Sequence, residues 1–313
     1  MRIGIFGSGG VGGYFGGRLA EAGQDVRFVA RGAHLAAMRE RGLRVTSPAG
    51  DFAVHPVRAS DDPAALGEVD VVLVAVKAWQ VAEAAGALGP MLGAATFVVP
   101  LENGIEAPDT LAAVLGRERV LGGLCRIIAY AEGPGRIRHA GVSPSVTFGE
   151  LDAPGSPRAE ALRAAFAQAR GVAAEVAADV RAAMWEKFLF IAAASGVGAL
   201  TRAPAGIIRS QPETRELLRQ ALAEIHAVAL ARGIALPADG IERALAFVDS
   251  LPADGTMSMQ RDVIDGRPSE LEAQIGAVVR LGEASGVPVP LHRTIYAALL
   301  PLERRARGLL GFA

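Results

Sequence analysis

Arg2-Ile-Gly-Ile-Phe6, followed at once by Gly7-Ser8-Gly9-Gly10-Val11-Gly12, decides the fold. The first five residues form a short apolar run suited to a buried parallel strand. The next six are G-x-G-x-x-G, placed between a strand and a helix, where the motif has a mechanism. Gly7 permits the tight turn, Gly9 keeps side-chain bulk away from a pyrophosphate, and Gly12 lets the helix lie close to the strand. The helix N-terminus then presents unpaired N–H groups to phosphate oxygens, so Gly7, Ser8, Gly9, Gly10, Val11 and Gly12 are the expected cofactor cradle. Gly13, Gly16 and Gly17 keep one helix face small, and Gly23 is placed to end the helix. A second strand over Gln24–Ala30 completes a βαβ unit.

The end of that second strand bears on which dinucleotide binds. An NAD site usually carries an acid there for the ribose hydroxyls. Residues 28 to 33 are Phe-Val-Ala-Arg-Gly-Ala, without an acid, and Arg31 is the only charge. A guanidinium suits a 2′-phosphate, so the expected cofactor is NADP(H); the plain alternative for Arg31 is a solvated surface arginine.

Outward from this unit, the chain has 313 residues, enough for two ordinary domains, with 51% apolar and 21% charged residues. A net charge of −1 gives no reason to expect nucleic acid or an acidic membrane surface as a partner. The single cysteine, Cys125, excludes an internal disulfide and reads as a small buried residue. The five histidines form no i, i+4 pair, so no metal site is expected. There is no signal-peptide pattern and no uncharged run long enough to span a bilayer, which reads as a cytoplasmic protein.

Further buried strands are expected over Asp70–Val76, Thr96–Leu101 and Arg119–Leu124, with two small ones at 43–46 and 51–55. Short alternating runs at 127–131, 136–139 and 145–148 predict an antiparallel edge on the parallel sheet. After a helix at 158–170 and a strand at 172–176, only helical patterns remain: 180–200, 213–232, 238–248, 257–265, 269–285 and 291–309. The expected fold is therefore α/β: a Rossmann-type doubly wound parallel sheet with an antiparallel edge over residues 1–178, then an all-helical domain over 179–313. Direct packing with a cleft between them is the expected arrangement.

Open α/β sheets bind ligands beyond the carboxyl ends of their strands. The glycines, Arg31, Lys77 and Asn103 each follow an expected strand there. Singly, Lys77 also fits a solvated lysine and Asn103 a turn former. In the helical half, Lys187 is the only positive charge between Arg181 and Arg202, flanked by Phe188, Leu189 and Phe190. It either snorkels to solvent or points into the cleft, and Ile191 and Ser195 lie on its face at i+4 and i+8. Glu270 opens a helix entered through Gly266-Arg-Pro268, with Leu271, Ile275, Val278 and Val279 as its expected buried stripe; the helix dipole alone would explain an acid there.

Taken together, Gly7-x-Gly9-x-x-Gly12, Arg31, Lys77-Ala-Trp79, Asn103-Gly104, Trp185-x-Lys187 and Ser258-Met-Gln-Arg-Asp262 running on to Gly266-Arg267-x-Ser269-Glu270 resemble the ketopantoate reductase family (2-dehydropantoate 2-reductases) over essentially the whole chain. The resemblance implies NADPH-dependent reduction of a 2-oxo acid to a 2-hydroxy acid, in pantothenate and coenzyme A synthesis. It implies Lys187 as general acid and Glu270 as its substrate-binding, lysine-orienting partner. Asn103 and Ser258 would contact substrate, and Lys77 the cofactor side. Elementary chemistry agrees: a carbonyl receiving hydride becomes an alkoxide that a partly desolvated lysine can stabilise and protonate.

The chain departs from the family pattern on the lysine face, where asparagines at i+4 and i+8 usually grip the substrate. Here the residues are Ile191 and Ser195. Either other residues take over, or the substrate is less polar there than ketopantoate. A paralogous reductase of another 2-oxo acid or ketone is thus an alternative, and a non-catalytic NADP(H)-binding sensor is an alternative of another class. The apolar helices of the second domain would also suit a homodimer interface.

Overall fold

A computed structural model describes residues 1–312. The chain divides into two compact units: Met1–Glu102 with Ala107–Ala183, and Asn103–Glu106 with the chain from Met184 onward.

In the first unit the chain order is β1 (Arg2–Phe6), α1 (Gly10–Glu21), β2 (Asp25–Val29), α2 (Gly32–Arg41), β3 (Leu43–Thr46), β4 (Phe52–Val54) and β5 (Arg58–Ser60). Then come β6 (Val69–Val74), α3 (Val81–Ala87), β7 (Leu92–Pro100), α4 (Ala107–Leu115), β8 (Leu121–Gly133), β9 (Arg136–Glu150), α5 (Pro157–Ala167) and β10 (Ala173–Val176). One sheet is wholly parallel, in the order β5-β2-β1-β6-β7. It is buried because its central strands carry no polar alternation: Ile3, Ile5, Val71, Val72, Leu73 and Val74 are inaccessible to solvent.

The antiparallel strands expected at this sheet's edge exist as the β8–β9 hairpin, but they organise a second, mixed sheet. Its path is β10-β9-β3-β4, with β8 on β9. A parallel bridge, Val98 to Val120, ties it to the parallel sheet. The two small strands β3 and β4 join it too. The short runs predicted between 127 and 148 are two long strands because the breakers loop out. Ile128 pairs with Ala140 and Arg126 with Ser145, so residues 141–144, with Gly141 at φ 73, bulge from the ladder, which has a second irregularity between Ala131 and Gly133. β5 and the short helix over 205–210 are too brief to leave a periodic signal.

The second unit is helical: α6 (Val180–Thr201), which starts in the first unit, α7 (Ala205–Ser210), α8 (Pro212–Ala231), α9 (Gly240–Ser250), α10 (Ser258–Ile264), α11 (Ala277–Ala284) and α12 (Pro290–Ala306). The division falls inside α6, between Ala183 and Met184, rather than at 178/179, because α6 runs unbroken for 22 residues. α6 is long and apolar enough to cross a membrane by length and composition, yet 67% of its most apolar window is buried within the protein, as a core helix would be. A π-helical turn, Glu272–Gly276, precedes α11. The expected stripe holds in the main: Leu271, Ile275 and Val278 are buried and Val279 is half-buried, while Gln274, three residues after Leu271 on the same face, is fully buried as well.

Candidate active site

The glycine turn has the geometry its sequence requires. Gly7 sits at φ 98, closed to side chains. A Cβ on Gly12 would stand 2.0 Å from the Gly7 carbonyl oxygen, so helix and strand approach as closely as backbones allow. A Cβ on Gly9 would meet nothing within 4 Å. Gly9 is therefore spared a side chain for access rather than for packing, which fits a pyrophosphate resting on the backbone. Gly10 has a packing reason as well, since a Cβ there would lie 2.2 Å from the Ala129 carbonyl of β8. Ser8 is buried and Val11 half-buried in the same turn.

Arg31 precedes α2, and its side chain is 61% exposed. Glu83 of α3 meets it at 3.0 Å, an acid fifty-two positions away that the second-strand motif does not reveal. Such an exposed pair is weak, within about 1 kcal/mol, so Glu83 restrains the guanidinium without tying it down. Lys77 follows β6, its amide donating to Gln80 Oε1 at 3.3 Å and its ammonium lying 5.7 Å from the centre of the Trp79 ring. Next to it, the buried Glu102 accepts from the Val76 amide at 3.1 Å. The glycines, Arg31 and Lys77 thus share the carboxyl edge of parallel strands β1, β2 and β6.

His34 in α2 is a residue the sequence does not single out. Its Nδ1 accepts from the Gly135 amide at 3.1 Å, so the neutral ring carries its proton on Nε2. Burial holds the imidazole below its ordinary 6.5.

Asn103 does not stay with the strand it follows. Beyond β7 the chain passes through Leu101 and Glu102, and Asn103–Glu106 belongs to the second unit. There Lys187 Nζ of α6 donates to Asn103 Oδ1 at 2.9 Å, and Asn103 Nδ2 donates to Glu270 Oε2 at 3.3 Å. An ammonium demands an acceptor and a carboxylate demands a donor, so the two neighbours fix which way the amide faces. Lys187 is half-buried and Glu270 is 5% exposed. Gln274, four residues on, donates to the same Glu270 oxygen at 3.4 Å. The entry to Glu270 is clamped from α12: the Ser269 amide and hydroxyl both donate to Glu303, the hydroxyl at 2.5 Å, and Arg307 bonds Glu303 and the Ser269 carbonyl. Glu303 and Arg307 carry only an i, i+4 signal in sequence, and Gln274 is likewise i+4 from Glu270.

Of the other residues expected here, Ile191 is half-buried and Ser195 fully buried on α6, where helical spacing puts both on the Lys187 face. Ser195 Oγ has no hydrogen-bond partner among the described residues. Ser258 is the first residue of α10 and half-buried; among the described residues no hydrogen bond joins it to the Lys187–Asn103–Glu270 run. Cys125 is buried, its thiol 3.5 Å from the Leu101 carbonyl. No group of three or more His, Cys, Asp or Glu placed to hold a metal occurs among the described residues.

Comparison with known proteins covers nearly the whole chain. The family described as Ketopantoate reductase PanE/ApbA matches residues 3–153, and Ketopantoate reductase PanE/ApbA C terminal matches residues 179–303. An "Uncharacterized oxidoreductase YkpB" of Bacillus subtilis (strain 168) is 32% identical over 303 residues, 96% of this chain and 98% of its own length. A 2-dehydropantoate 2-reductase of Mesorhizobium japonicum is 32% identical over 327 residues, 98% of each chain. Among solved structures, a PanE/ApbA family ketopantoate reductase from Ralstonia eutropha JMP134 superposes with a TM-score of 0.89 at 34% identity, covering 98% of this chain and 100% of its own.

Proposed function

The chain belongs to the ketopantoate reductase family of oxidoreductases, and from that premise we propose that it reduces a 2-oxo acid to the 2-hydroxy acid with NADPH, ketopantoate to pantoate being the reaction favoured by the family. The observation that carries this reading is the hydrogen-bonded run Lys187–Asn103–Glu270.

The nicotinamide, when bound, supplies a hydride to the substrate carbonyl carbon. The chain's own residues supply the rest. Lys187 holds a proton on Nζ for the oxygen that becomes an alkoxide, and its charge stabilises that oxygen as it forms. Asn103 takes one ammonium hydrogen and so helps fix the direction of the group. Glu270, held by Asn103 and Gln274, is the acceptor for a substrate hydroxyl. Gly9 leaves the backbone open to the pyrophosphate, and Arg31 offers the 2′-phosphate a charged, bidentate donor. Lys77 is assigned to the cofactor side and Ser258 to the substrate. A cytoplasmic protein free of membrane and nucleic-acid partners accords with the net charge of −1 and the buried α6.

Ile191 favours a second reading, a 2-oxo acid that is apolar where ketopantoate is hydroxylated. NADPH oxidation with ketopantoate and with a panel of other 2-oxo acids separates the two. A kcat/KM for ketopantoate at least about tenfold above the panel is expected from one well-made hydrogen bond. Preference for an acid with an apolar side chain transfers the substrate to the second reading. No turnover of any 2-oxo acid, with NADPH binding intact, overturns both and leaves a dinucleotide sensor.

A further inference from the structure

We infer that Gln274 is a positioning residue for Glu270, fixing the carboxylate in the orientation that Asn103, and through it Lys187, requires. This rests on the reductase reading above.

Gln274 is fully buried, and its backbone amide donates to the Glu270 carbonyl at 3.0 Å. That i→i−4 bond stacks the two side chains on one helical face, one turn apart. Gln274 Nε2 accordingly reaches Glu270 Oε2 at 3.4 Å, the same oxygen that takes Asn103 Nδ2 at 3.3 Å. Both bonds are long and each is individually modest. Together they approach one oxygen from two chain segments. The segments are themselves in contact: Gly104, at φ 123, would place a Cβ 3.1 Å from the Ala273 carbonyl.

Packing does not account for an amide at this position. A carboxylate accepts only, so Nε2 must face Glu270 and Oε1 must face away. Oε1 is then buried with no partner among the described residues. Methionine or leucine would fill a similar volume without stranding a carbonyl, whereas neither could donate to Glu270.

The test replaces the donor and keeps the volume. Gln274→Met is expected to lower kcat for the preferred 2-oxo acid about tenfold, as loss of a hydrogen bond to a charged group would, with NADPH affinity unchanged and the melting temperature equal or higher. Gln274→His, whose ring N–H donates at a comparable reach, is expected to recover part of that loss. A Gln274→Met enzyme with unchanged kcat and KM overturns the inference. So does one whose losses follow a lowered melting temperature and are not recovered by histidine. If the wild-type protein reduces no 2-oxo acid, the functional reading fails by itself. A double-mutant cycle of Gln274→Met with Glu270→Gln in thermal unfolding still decides the contact: non-additivity supports it and additivity overturns it.

Discussion

Lys187 Nζ donates to Asn103 Oδ1 at 2.9 Å, across eighty-four positions of sequence. Asn103 lies just past the last parallel strand of the nucleotide-binding sheet, yet it belongs to the helical unit. A residue that looks like part of a nucleotide-binding edge is therefore the bridge between a general-acid candidate and a carboxylate.

That bridge predicts two different losses. Lys187→Ala removes the proton donor, so kcat should fall by roughly 10² to 10⁴-fold, the usual worth of general acid catalysis. Asn103→Ala leaves the ammonium present but unaimed and should cost less, about tenfold in kcat. NADPH affinity, followed by fluorescence titration, should be unchanged in Lys187→Ala. A fully active Lys187→Ala enzyme sinks the mechanism.

The Arg31–Glu83 pair at 3.0 Å makes the cofactor choice testable from both sides. Arg31→Ala should weaken NADPH at least about tenfold while leaving NADH nearly unchanged, because only NADPH carries the 2′-phosphate. Glu83→Gln frees the guanidinium and should tighten NADPH by no more than a few-fold, since exposed pairs contribute little. Equal losses of both dinucleotides in Arg31→Ala would remove the assignment.

Gly9 and Gly12 belong to one motif for opposite reasons. A Cβ at Gly12 would stand 2.0 Å from a backbone oxygen, so Gly12→Ala should lower the melting temperature and the yield of folded protein. At Gly9 the space is open, so Gly9→Ala should fold with a normal melting temperature and bind NADPH at least about tenfold more weakly. Calorimetry and titration on the two variants separate these effects, and matched changes in both would contradict the structure.

His34 predicts a pH dependence of stability. Burial lowers its folded-state pKa below the ordinary 6.5, so between that lower value and about 6.5 the unfolded chain binds more protons than the folded one. The contribution is complete above about 6.5 and is lost as pH falls from there toward the lower folded value. Protonation of Nδ1 would also break the bond from the Gly135 amide. Urea unfolding of the wild type should show this decline, and His34→Asn, with a carbonyl near the Nδ1 position, should show a shallower one. Parallel pH profiles would refute it.

Ile191 offers the Lys187 face no hydrogen bond. Ile191→Asn should therefore raise kcat/KM for a hydroxylated 2-oxo acid relative to one with an apolar side chain, about tenfold in the ratio. A ratio unmoved by the substitution would show that this position does not face the substrate.

Much of this protein was legible in its residues. The apolar run into the glycines, the second strand ending in Arg31, the buried run before Lys77 and the long apolar α6 are signals carried by consecutive residues. Strand and helix periodicity, tight turns and glycine access depend on neighbours a few positions apart, so one dimension suffices to read them. What tertiary structure alone decided were partnerships over long separations: Glu83 with Arg31 at fifty-two positions, Asn103 with Glu270 at 167, and β3, β4 and β10 with the hairpin in a second sheet. Gln274 shows the limit most closely. Its spacing from Glu270 is visible in the sequence, but its shared oxygen is not, because the loop that brings Asn103 to that oxygen lies 167 positions away from Glu270. Local propensity sets which elements form, whereas packing among distant segments selects which side chains meet, and the candidate chemistry of this chain depends on that selection.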